Sequence, residues 1–212
     1  MNNQQLIDSL SRQDCQAVRS PWMASLMGVG ASLFFFLAVS WYYGLRSDLA
    51  DQALEPLFIT HLALLGGSAL VSAALACYLA IPRMDLPRWL PSLGFLPLTI
   101  WVSSLLFQLA HTLLHYPEQI YPQPMDRFCI QSFMLFLVLP GAYMLFQVKR
   151  LAPVLPHWSG ALSVLFATSM GNFALMLLES NDNLYHQTAW HLIPTIMFTL
   201  GGFFLGPKIL KW

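Results

Sequence analysis

Six stretches of this chain are long enough to cross a lipid bilayer and contain no Lys, Arg, Asp or Glu. They run from about Trp22 to Leu45, Leu57 to Ile81, Trp89 to His111, Phe128 to Val148, Trp158 to Leu178 and Ala189 to Leu205. A spanning helix needs roughly 20 apolar residues to cross about 30 Å of hydrocarbon. A soluble protein can bury one such helix, but 212 residues leave too little chain to cover six. Charged residues make up only 9% of the chain, against about 25% in soluble domains. The expected fold is therefore all-α, a polytopic membrane protein of six transmembrane helices. Residues 1–20 form a polar N-terminal segment ahead of a six-helix domain over 21–212.

Prolines punctuate the connections at Pro82, Pro87, Pro117, Pro122, Pro124, Pro153 and Pro156, as expected of residues that cannot extend a helix ladder. Pro97, Pro140 and Pro194 fall inside apolar runs and are expected to kink their helices. The opening MNNQQLIDSLSRQD lacks the basic start and apolar core of a secretory leader. No basic run suggests a nucleic-acid surface.

Basic residues orient membrane proteins. With the N-terminus inside, Arg12, Arg19, Arg83, Arg88, Lys149, Arg150, Lys208 and Lys211 are cytoplasmic, and only Arg46 and Arg127 are outside. Both termini are then cytoplasmic. In this topology Cys129 lies at the outer end of the fourth helix, reachable by a membrane-impermeant thiol reagent. Cys15 and Cys77 lie on the inner side, too far away for an internal disulfide.

Five of the six histidines fall near the outer side. His111 and His115, spaced i, i+4, share a helix face. His186 and His191 flank the start of the sixth helix. With Cys129 and Glu179 these are candidate metal ligands by residue type, although no compact HExxH or CxxC motif is present. Ordinary interfacial histidines are the alternative, and no cofactor is expected. Gly202 and Gly206 form a GxxxG pair in the sixth helix. Packing within the chain is the first reading, and a homodimer seam is the alternative. Trp22, Trp41, Trp89, Trp158, Trp190 and Trp212 fall near helix ends, as in an aromatic belt.

Four stretches carry a resemblance to a known family: GLRSDLADQALEPLF from Gly44, AIPRMDLPRWLPSL after the second helix, KRLAPVLPHWSGAL from Lys149, and HQTAWHLIPTIMFTLGGFFLGPKILKW from His186. With the six-span plan they resemble the NrsF-like negative regulators of sigma factors. The resemblance implies a non-enzymatic anti-sigma factor in a bacterial inner membrane. Such a protein holds an extracytoplasmic-function sigma factor through its cytoplasmic N-terminal segment. It also implies that periplasmic cysteines receive the signal. Cys129 matches the first of these, while Glu179, in LLESNDNLYH, stands where the second would fall. Leu6, Ile7 and Leu10 form one stripe of a short helix suited to a groove on a partner; an amphipathic end on the lipid surface is the alternative. Two other functions compete. A membrane redox, haem or metal-binding protein would use the outer His and Cys residues. A small transporter would want ionisable groups at mid-membrane, where Asn172 is the main polar residue.

Overall fold

The computed structural model describes residues 20–81, 87, 89–121 and 127–211. The N-terminal stripe of Leu6, Ile7 and Leu10 lies outside the described residues, as does Cys15. Six helices have the length and apolar composition to span a membrane: α1 (Pro21–Tyr43), α2 (Pro56–Tyr78), α3 (Leu96–His115), α4 (Arg127–Lys149), α5 (Pro156–Leu178) and α6 (Leu184–Ile209). No strand occurs among the described residues. The all-α, six-span expectation is met.

α5 is the hub. It packs against α2, α4 and α6, while α1 lies against α2 and α4, and α3 leans on α2 at the periphery. The sequence of α5 explains its place. Ser159, Gly160, Ala161, Ser163, Ala167, Ser169, Gly171 and Ala174 are buried small residues, distributed around the helix. Without large side chains, neighbouring backbones approach on several sides at once. Two hydroxyls are satisfied locally: Ser163 donates to the Ser159 carbonyl at 2.7 Å, and Thr168 to the Val164 and Leu165 carbonyls at 3.1 Å. Between helices, Ser68 and Ser169 are hydrogen-bonded at 2.9 Å. Asn172 donates to Thr195 at 2.8 Å, so the mid-membrane amide joins α5 to α6.

The GxxxG pair of α6 packs within the chain. A Cβ on Gly206 would strike the carbonyl of Pro156, and one on Gly202 would lie 2.8 Å from the Gly160 carbonyl oxygen. The seam belongs to α5 and α6, which excludes its use by a second copy while this packing holds. Outside the bundle the surface is apolar: Phe34, Trp41, Phe107, Leu114, Met197 and Phe204 are all exposed. That is the inverse of a soluble protein, where large exposed apolar areas are rare.

Three expectations need correction. Pro97 does not kink α3 but sits in its first turn, where proline costs no backbone hydrogen bond. The Trp89 region is a separate short helix, Leu90–Leu93. α6 begins at Leu184, earlier than Ala189, because Asn183 caps it, accepting from the backbone N–H of Tyr185 at 2.8 Å and of His186 at 3.3 Å. Pro140 does lie inside α4.

Candidate functional site: a buried Cys–Glu–His–His cluster

The α1–α2, α3–α4 and α5–α6 connections share one end of the bundle. At that end Cys129 stands in the first turn of α4, Glu179 caps the C-terminus of α5, and His186 and His191 lie in the first turns of α6. One ligand-type atom from each of the four lies within 4.8 Å of all the others. His186 Nε2 is 3.0 Å from Glu179 Oε1, and His191 Nε2 is 3.6 Å from Glu179 Oε2. Cys129 Sγ is 3.5 Å from His191 Nε2.

The two histidines converge because of an irregularity in α6. Gln187–Leu192 is a π-helical segment, in which hydrogen bonds run i→i+5. His186 and His191 are five residues apart, so that widened turn stacks them, with ring centroids 5.1 Å apart. In a regular α-helix the same spacing would turn them well apart. Thr195, one turn further on, donates to the His191 carbonyl at 2.7 Å and so takes up a carbonyl near the disturbed ladder.

The cluster is sealed. Cys129 is 2% exposed, His186 0% and His191 7%. Cys129 packs with Phe133 and Leu175, flanked by Phe128, Trp190 and Phe198. The expectation of an openly accessible thiol is therefore corrected: neighbouring aromatics cover it. Burial pushes the Glu179 carboxyl up, but the hydrogen bond from His191, the charges of His191 and His186 and the Cys129 contact outweigh it. Glu179 ends below its ordinary range.

A second polar knot holds the loop that carries Glu179. Arg46, fully buried at its side chain, contacts Asp48 at 2.8 Å and Asp182 at 2.6 Å. Both contacts are bidentate, with further bonds of 2.8 Å to Asp48 and 3.1 Å to Asp182. The Arg46 backbone N–H donates to the Leu177 carbonyl at 3.1 Å, and its guanidinium lies 5.5 Å over the Phe58 ring. The hydrogen bonds that Arg46 donates to Asp48 and Asp182 raise the Arg46 pKa, and the bond from Arg46 lowers that of Asp48. By position alone Arg46 read as one of two outer bases; its structural role depends on a partner 136 residues away.

The structure does not bring His111 and His115 to the cluster. Their rings stack at 4.7 Å on α3, but both are exposed and stand outside the cluster. His61, on α2, is bonded instead to Ser104 at 2.9 Å and lies 3.2 Å from Gln108. A cavity of about 20 Å³, lined by His61, Trp101, Asn172, Glu179, Asp182 and His191 among others, adjoins the cluster. It has room for a water or an ion, far below the several hundred Å³ of a cofactor pocket. Cys77 and Cys129 are not joined by a disulfide.

The ionisable residues of the described chain thus gather at the ends of the bundle rather than along a path through it. They define a polytopic membrane protein with a sealed polar centre at one end, without the mid-membrane charges of an ion-coupled transporter. The chain belongs to the NrsF family: the model of that family, described as negative regulator of sigma F, matches residues 10–212. It is a multi-pass membrane protein of a family of negative regulators of a sigma factor. No curated protein and no solved structure matches it.

Proposed function

We propose that this chain is an anti-sigma factor of a bacterial inner membrane, which regulates by binding rather than by catalysis. In this reading, residues 1–20 hold an extracytoplasmic-function sigma factor on the cytoplasmic face, with Leu6, Ile7 and Leu10 as anchors. A signal reaching the opposite end of the bundle, with Cys129 as its candidate receiver, releases the partner. The observation that carries this reading is the family match over 10–212. The sigma factor's type, the segment that binds it and the release step are inferences from the chain's own layout. α1 follows directly on the N-terminal segment, and the loop after α1 is clamped through Arg46 to Asp182 beside the cluster. α1 therefore offers a mechanical link from one face to the other.

The test is retention. Membranes containing the full chain should keep the sigma factor in the membrane fraction. A chain lacking residues 1–20 but inserted at equal abundance should leave it soluble. Equal retention by both chains would refute the tether.

Orientation has its own test. Reporter fusions after Arg19, Arg88, Arg150 and Trp212 should behave as cytoplasmic, and fusions near Asp51, Gln123 and Asp182 as periplasmic, following the distribution of bases. A periplasmic reporter at Trp212 would overturn the topology.

A further inference from the structure

The geometry points to a binding site for one borderline divalent transition-metal ion, of the zinc class, formed by Cys129, Glu179, His186 and His191. The site is independent of the sigma-factor reading and is measurable on the chain alone.

Three observations carry it. The first is spacing. Tetrahedral coordination at 2.0–2.3 Å holds ligand atoms roughly 3.3–3.8 Å apart. The contacts across the cluster are 3.0, 3.5 and 3.6 Å, and no pair of the four ligand atoms exceeds 4.8 Å. The 3.0 and 3.6 Å contacts use different oxygens of Glu179, and shifts of up to about an ångström would bring one of these oxygens and the other three donors around a central ion.

The second is charge. An isolated ion at a sealed site is heavily penalised. One thiolate and one carboxylate, with two neutral imidazoles, neutralise a doubly charged cation, so the loaded site carries no net charge. The donor set of one sulfur, two nitrogens and one oxygen selects among metals. It is too soft and too poor in oxygen for Ca²⁺ or Mg²⁺ and suits Zn²⁺, Co²⁺ or Cu²⁺. Four protein donors describe a closed site, as in metal centres that bind rather than catalyse.

The third is preorganisation, with a way in. The π turn brings His186 and His191 together, Asn183 caps the helix that carries them, and Arg46 pins the loop at Asp182, next to Glu179. The small cavity touches both Glu179 and His191. A wider cavity of about 270 Å³, with Glu55 and Asp182 in its wall, shares His61, Met176, Asp182 and Gln187 with it. The two cavities together lead from Glu55 to Glu179 and His191.

The experiment uses the full chain, purified in detergent, stripped with chelator and reloaded with Zn²⁺ or Co²⁺ alone. The expected result is one Zn²⁺ per chain retained through gel filtration. The Co²⁺ form should show tetrahedral visible bands and a near-ultraviolet sulfur-to-cobalt charge-transfer band. Cys129→Ser should abolish the charge-transfer band. Glu179→Gln and His191→Ala should weaken Zn²⁺ binding by at least ~100-fold, the upper range seen when only a supporting residue is lost. His111→Ala with His115→Ala should change nothing. Failure of the wild-type chain to retain Zn²⁺ would overturn the site whatever the variants do. So would retention unchanged in Glu179→Gln, or a Co²⁺ spectrum without the sulfur band.

Discussion

Gly206→Leu is expected to abolish the folded bundle, while Gly201→Leu, five residues earlier on the same helix, is tolerated. The difference lies in what a side chain meets. At Gly201 nothing stands within 4 Å of a new Cβ. At Gly206 it strikes the Pro156 carbonyl, with the Gly160 Cα 3.3 Å away. Both are backbone atoms and have no rotamer by which to yield. A clash with movable core side chains costs typically 1–3 kcal/mol; here α5 and α6 must part along their length, and we expect about 3 kcal/mol or more. Their separation also breaks the Asn172–Thr195 hydrogen bond and moves Glu179 away from His186 and His191. Gel filtration of detergent-solubilised protein should show Gly201→Leu as a single sharp peak at wild-type abundance, and Gly206→Leu as aggregate with several-fold lower yield. A monodisperse Gly206→Leu of smaller size would instead place the seam between two copies.

The contrast between these glycines marks how far the sequence could be read. A spanning helix announces itself because hydrocarbon demands an unbroken apolar run, so all six are visible without a structure. Their ends are less so. NDNLYHQT, around the start of α6, is polar and reads as loop, yet its residues Leu184–Thr188 are helical and at least partly buried. GxxxG at 202 and 206 indicates close approach but not to what; Gly160, the partner, has no such signature. The cluster was half legible. Cys129, Glu179, His186 and His191 are recognisable as donors by type, but nothing in the sequence separates them from His111 and His115. The π turn makes the difference, because it makes i, i+5 the neighbouring spacing for His186 and His191. Arg46 was invisible as a clamp, since nothing local connects it to Asp182.

The second large effect concerns the N-terminal segment. In the proposed tether, each of the three apolar anchors contributes about 1.5–3 kcal/mol when fully buried in the partner. Part of that is offset by the cost of ordering the segment. The remainder suits a tether that must release its partner. Placing Asp at all three anchors removes the apolar gain and adds charges that a groove has to desolvate. Repression should then collapse rather than weaken. Because the three anchors share the binding energy, a single substitution is expected to weaken repression only in part, where the triple change abolishes it.

The most direct measurement is therefore the transcript level of the sigma factor's target genes in unstimulated cells carrying Leu6→Asp, Ile7→Asp and Leu10→Asp together, with membrane insertion verified at wild-type abundance. A tether through residues 1–20 predicts transcripts raised to the level seen when the whole chain is deleted. Repression unchanged in the inserted triple variant would contradict it.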